Sequence, residues 1–179
     1  NIEHSFPKSW WGKEKNDAWC DLYNLYPSDA KANSDKSNYP MGVVVKVTKP
    51  AGEGYDKVGT GYADGQLIKM WEPGNRFKGE FARSYLYMAT TYQHLKWVNV
   101  GLQSLENNSW PTLREWAYKL YLKWSKQDRV DQQEIDRNNA AAKIQNNRNL
   151  FIDYPNLAEY VWGDSVDVAF NPDLSITTA

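Results

Sequence analysis

Two histidines occur in the chain, His4 and His94, and the first stands beside Glu3 in Asn1-Ile-Glu-His-Ser-Phe-Pro, an aromatic and proline-rich setting outside any regular hydrophobic pattern. A neutral imidazole can accept a proton and a carboxylate beside it can hold a cation, so catalytic or metal chemistry is sought first at this dipeptide. Adjacent side chains of a strand point to opposite faces. Glu3 and His4 can therefore converge on one phosphate only where the backbone bends, and Pro7 offers such a strand end. Taken alone, the pair reads far more readily as an ordinary surface pair. His94, late on a helical stripe and beside Leu95, has no motif partner and reads as a capping or surface residue.

A second polar stretch, Asp21-Leu22-Tyr23-Asn24-Leu25-Tyr26-Pro27, leads into Lys31-Ala32-Asn33-Ser34-Asp35-Lys36-Ser37-Asn38-Tyr39-Pro40. It joins a short extended run to a helix carrying Asn33. Lys36 follows at i+3, on the same helical face, where its ammonium could meet a phosphate as a point charge or simply be solvated. The bland reading of this segment is a capped helix and a turn.

In this order, Glu-His-x-x-Pro, Asp-Leu-x-Asn-Leu-x-Pro and Asn-x-Asp-Lys-x-Asn resemble the bacterial endonuclease I family. Further matches run through Phe77-Lys78-Gly79-Glu80-Phe81-Ala82-Arg83, Tyr87-Met88, Arg137-Asn138 and Gln145-Asn146-Asn147-Arg148-Asn149-Leu150-Phe151-Ile152-Asp153, so the resemblance covers nearly the whole chain. It implies a ββα-metal, or His-Me, finger over about residues 1–40, with His4 as general base and Glu3 and Asn33 as protein ligands of one divalent cation. That cation is usually magnesium, and manganese or calcium could occupy the same site. One carboxylate and one amide suit a hard cation that keeps positions open for water and phosphate. Arg83 and Arg148 match family positions that could hold the scissile or a neighbouring phosphate; for Arg83 a buried ion pair with Glu80 at i−3 is an equal alternative. Four departures stand out: Tyr23 where many relatives have His, Lys36 for Arg, Asn146 for Gly and Leu150 for Pro.

The activity implied is non-specific, metal-dependent hydrolysis of phosphodiester bonds in DNA and/or RNA to 5′-phosphate products. Contact through the phosphate backbone implies low sequence specificity and strong salt sensitivity. The resemblance also implies a secreted or periplasmic protein, and a monomer without membrane insertion is expected. Relatives usually carry residues before the Glu-His motif, so the chain is expected to lack an N-terminal segment. Two other classes compete: a catalytically inactive scaffold binding nucleic acid, or carbohydrate through exposed Trp, and a metal-independent hydrolase with Glu80 and Asp153 as paired carboxylates.

The elements that must position these groups follow from composition and pattern. At 179 residues, 41% hydrophobic and 15% aromatic, the chain fits one α+β domain over 1–179. The formal net charge of −1 means that any phosphate-binding surface is local. The single cysteine, Cys20, excludes an intramolecular disulfide and reads as a small buried residue. No apolar run approaches the roughly 18 residues of a membrane span, and neither zinc-ligand spacing nor a phosphate-cradling glycine loop occurs. Trp10, Trp11 and Tyr39 are candidates for base stacking, yet most aromatics fall at helical spacing and read as core, so none is assigned to substrate.

A short helix is expected from Ser28, whose hydroxyl would cap it. Residues 43–48 read as a buried strand and 58–71 as a strand region around Ala63-Asp64-Gly65, giving a small, mostly antiparallel sheet. From Phe77 the period becomes helical. Two long core helices follow, the second begun by a capping box of Thr112 with Glu115; a more polar helix at 132–146, boxed by Asp131 with Glu134, and a last one at 155–162 complete the several packed helices.

Overall fold

The computed structural model describes residues 1–50 and 56–179. Its first three regular pieces that bear on the site are strand β1 (Ile2–His4), strand β2 (Leu25–Pro27) and helix α2 (Ala30–Lys36), with the one-turn helix α1 (Asp17–Cys20) between the strands. β1 and β2 run antiparallel, with Glu3 opposite Tyr26 and His4 opposite Leu25. Strands β3 (Lys46–Lys49), β4 (Asp56–Ala63) and β5 (Gln66–Pro73) form a second antiparallel sheet in that order. Among the described residues the architecture is α+β with two small antiparallel sheets.

Asp64 and Gly65 close the β4–β5 hairpin with φ of 49° and 78°, the left-handed pair that a two-residue turn demands. The valine run departs from expectation. β3 begins only at Lys46 and is exposed throughout; Val43, Val45 and Val47 face solvent while Val44 alone is buried. The run alternates beside β4 at the edge of an antiparallel sheet, so only one of its faces can reach a core. Gly61 on β4 makes that approach possible. A Cβ there would collide with the Val43 carbonyl oxygen and the Met70 sulfur. Gly61→Ala should accordingly cost about 1–3 kcal/mol by overpacking, read as a lowered urea midpoint.

Helices α3 (Lys78–Thr91), α4 (Glu115–Gln127), α5 (Gln132–Gln145), α6 (Leu150–Asp153) and α7 (Leu157–Trp162) follow, with short 3₁₀ turns between elements. One buried cluster draws Phe6 and Trp10 from the N-terminal region, Tyr85 and Met88 from α3, Tyr121 from α4 and Phe151 from α6. The region bearing the candidate site is thus anchored on the long helices.

Three caps differ from their sequence signatures. α2 begins at Ala30, and its cap is Asp29, whose Oδ1 accepts from the Lys31 and Ala32 amides at 2.9 and 3.0 Å. A carboxylate is the better acceptor at the positive helix end, and Ser28 is left outside. Thr112 is no cap either: its φ is 61° and its hydroxyl donates to the Asn108 carbonyl, while α4 starts without a side-chain cap. Asp131 does cap α5 through the Glu134 amide, but the Glu134 carboxylate turns to Arg83 instead of back to Asp131. Where α5 ends, Asn146 has φ 60°, which explains why glycine suits this position and Asn is tolerated. α6 is unforeseen, and Leu150 is its first residue, a slot that proline fills without loss.

Candidate active site

The expected bend does not fall at the Glu3-His4 pair: both residues stay in the regular register of β1, and the chain bends only after them, at Ser5 and Phe6. Ser5 donates its amide to the Asn24 carbonyl, and the Asn24 side chain then clasps Phe6 from both sides, accepting from its amide at 2.7 Å and donating to its carbonyl at 2.9 Å. Asn24 is fully buried, so these bonds have no water to compete with them. Glu3, His4 and Asn33 line a single pocket of about 380 Å³, together with Lys8, Lys13 and Asn38.

His4 is fixed by its Nε2, 2.9 Å from the carbonyl oxygen of Trp19 on α1. A carbonyl can only accept, so Nε2 carries the hydrogen and the neutral ring keeps its lone pair on Nδ1. Nδ1 makes no hydrogen bond among the described residues. Burial holds the His4 pKa below its ordinary 6.5, against the Trp19 hydrogen bond, with the positive charge of Lys8 adding to the lowering. A neutral base at pH 7 is the result.

Glu3 and Asn33 come from β1 and α2 and bring a carboxylate and an amide oxygen to the same pocket. The Asn33 side chain has no hydrogen-bond partner among the described residues. Glu3 accepts from Lys36 Nζ at 2.7 Å through Oε1. Lys36 is only 5% exposed and its ammonium lies 5.1 Å over the Trp71 ring. It is therefore neither solvated nor open to the pocket: its place is behind Glu3, as the counter-charge of the carboxylate. A carboxylate with an amide oxygen fits a hard divalent cation that keeps its other positions for water and phosphate. Among the described residues no group of three or more His, Cys, Asp or Glu gathers, in this pocket or elsewhere.

Arg83 and Arg148 are not brought to this pocket. Arg83 is 1% exposed and grips both oxygens of Glu134, with the Ser125 and Asp128 carbonyls completing its shell. The ion-pair alternative thus describes Arg83, with Glu134 in place of Glu80. Arg148 grips the carboxylate of the buried Asp153 at 2.7 Å on both oxygens and also donates to Asn139. Glu80 and Asp153 do not form a working pair: Asp153 belongs to Arg148 and Asn138, whereas Glu80 sits beside Glu134 and is raised to about 7 mainly by burial. Trp10 and Trp11 are in the core and closed to stacking. Tyr39 is half-buried with Lys69 over its ring. His94 is exposed beside Tyr92, and Cys20, expected inside, is exposed as well, because α1 turns Ala18 to the core.

Sequence reasoning did not single out Asn24, Trp19, Lys8 or Lys13. Asn24 was visible as part of its motif but not as a clasp. Trp19 acts through a backbone oxygen, which has no residue-type signal, and the lysines carried only the signal of local basic charge in Lys8, Lys13 and Lys15.

The pocket thus joins a fixed neutral histidine, able to take a proton, to a carboxylate and an amide oxygen, able to hold a cation. The endonuclease I family model matches residues 1–156, and the chain belongs to that family. It is 34% identical over 169 residues to an extracellular ribonuclease of Bacillus subtilis (strain 168), covering 90% of this chain and 54% of that protein. An extracellular ribonuclease of Bacillus amyloliquefaciens is 34% identical over 149 residues, 79% of this chain and 46% of that protein. A periplasmic deoxyribonuclease of Aeromonas hydrophila is 29% identical over 133 residues, 74% of this chain and 47% of that protein. The chain spans about half the length of these relatives.

Proposed function

We propose that the chain is an endonuclease that hydrolyses phosphodiester bonds with little regard for sequence, leaving 5′-phosphates, and that β1, β2 and α2 act as a ββα-metal finger. The observation that carries this reading is the convergence of Glu3, His4 and Asn33 on one pocket, with His4 Nε2 tied to the Trp19 carbonyl. His4 Nδ1 takes the proton of the attacking water, and the Trp19 carbonyl holds the imidazolium that results. Glu3 and Asn33 would hold one divalent cation, magnesium being the expected ion with manganese or calcium as substitutes, which supplies charge stabilisation at the phosphate and its leaving oxygen. Lys36 keeps Glu3 oriented.

The substrate is proposed to be nucleic acid held through its phosphates, with RNA as the first candidate because the two ribonuclease relatives match at higher identity and over more of the chain than the periplasmic deoxyribonuclease does. Export is proposed on the same likeness; no helix among the described residues is long and apolar enough to cross a membrane. The test is cleavage of supercoiled plasmid and of a structured RNA with magnesium and with chelator. Cutting of at least one that stops with chelator is expected. Cutting unaffected by chelator would remove the metal, and absence of cutting with any divalent ion would leave a binding scaffold.

A further inference from the structure

The chain as a whole is slightly acidic, yet the pocket wall formed by the 3₁₀ turn Lys8–Trp11 and the residues after it is basic. Lys8 and Lys13 both line the pocket, and Glu3, the one carboxylate there, is already matched by Lys36. Ion pairs neutralise Lys36, Lys49, Lys57, Lys78, Lys119 and Lys126. Neither Lys8 nor Lys13 has such a pair among the described residues, so both present uncancelled charge beside the candidate base. Lys8 is aimed without a carboxylate: its ammonium lies 4.3 Å over the Trp19 ring, and Lys15 approaches the same ring at 5.9 Å.

The wall is also tied down. Trp10 Nε1 donates to the Asn38 carbonyl at 3.0 Å and Asn38 Nδ2 to Ser9 Oγ at 3.3 Å, which fastens the turn to the chain just after α2. Lys13 donates its amide to the Lys8 carbonyl at 3.0 Å, and the chain reverses there through Gly12 and Lys13 with φ of 79° and 63°. A non-glycine residue in that region is strained, so Lys13 is held against its preference by the surrounding turn. Two ammonium groups carried on a backbone turn that is tied down beside His4, and left without an ion-pair partner among the described residues, suit a repeating polyanion better than a single small ester.

We propose that Lys8 and Lys13 form a phosphate grip that holds the nucleotides flanking the bond cut at His4. This rests on the nuclease reading for its substrate. Lys8, whose ammonium lies over the same Trp19 ring that the His4 ring packs against, takes the phosphate nearer the reaction and Lys13 the one beyond it. The grip meets backbone phosphate and carries no sequence information, in keeping with a non-specific enzyme.

The test is the salt dependence of binding of a short labelled single-stranded oligonucleotide, in the slowed His4→Ala background with magnesium and over times short enough that gel analysis shows the strand whole. Removing one phosphate-bound cation from the protein makes the slope of log K against log salt shallower by about 0.7 for a single strand. Lys8→Gln and Lys13→Gln should each reduce the slope by that amount and the double variant by about 1.4. Lys46→Gln, an exposed charge change on β3 away from the pocket, should leave it unaltered. A double variant with the parent's slope, or one no shallower than that of Lys46→Gln, overturns the grip. Cleavage by the unaltered protein is measured alongside: if it cuts nothing, the nuclease reading fails by itself, while the binding slopes still decide whether these lysines hold phosphate.

Discussion

Replacing His4 with alanine is expected to lower kcat by roughly 10²–10⁴-fold, the usual contribution of a positioned general base. Substrate affinity should change far less, because the groups that would meet phosphate are elsewhere on the pocket wall. The pH profile supplies the sign. Burial and Lys8 place the His4 pKa below 6.5, so the imidazole is already neutral at pH 7 and gains nothing as the pH rises further. Activity should fall only as pH drops through that lowered value, and His4→Ala should lose this acid limb together with its rate. A profile in which the limb persists in His4→Ala would assign the titration to another group and remove His4 as base. Trp19 cannot be tested by deletion of its side chain, since its backbone oxygen does the work; what that oxygen predicts is that the protonated Nε2 stays bonded and Nδ1 titrates, which nitrogen chemical shifts of the ring would read directly.

How far the site was legible depends on how each group acts. Glu3, His4 and Asn33 act through side chains in spaced motifs, and the structure collects all three in one pocket. The sequence made their convergence conditional on a bend, yet Glu3 and His4 reach the pocket from a regular strand, and the buried Asn24 instead holds the turn after it through two bonds to Phe6. Lys36 shows the opposite difficulty. Helical spacing correctly put it on the face of Asn33, but whether that face looks to solvent, to phosphate or to Glu3 is decided by the strand 33 residues earlier and by the Trp71 ring. Element types were read well where the pattern was long, as in α3 and α4. They were misjudged where a short feature carried the inference, as with Ser28, Thr112 and the valines before β3, because a cap or an edge strand is chosen by neighbours the sequence does not order.

Arg83 makes the same argument in energetic form, and its replacement by methionine is the second large effect expected. Its guanidinium and the Glu134 carboxylate meet on both oxygens, 51 residues apart in sequence and both nearly sealed from solvent, so that the pair joins α3 to α5. Removing one partner of such a pair leaves a buried charge without compensation and typically costs about 3–5 kcal/mol. Arg83→Met should therefore lower the urea midpoint sharply. The double variant Arg83→Met, Glu134→Leu should recover much of the loss, since two apolar groups in that space need no partner. A phosphate-holding Arg83 predicts the reverse pattern: stability nearly unchanged in Arg83→Met, a shallower salt dependence of oligonucleotide binding, and no rescue by the second substitution. The two outcomes separate on one denaturation series. The geometry favours the first, because an arginine with Glu134 and the Ser125 and Asp128 carbonyls around it has its donors committed inside the protein.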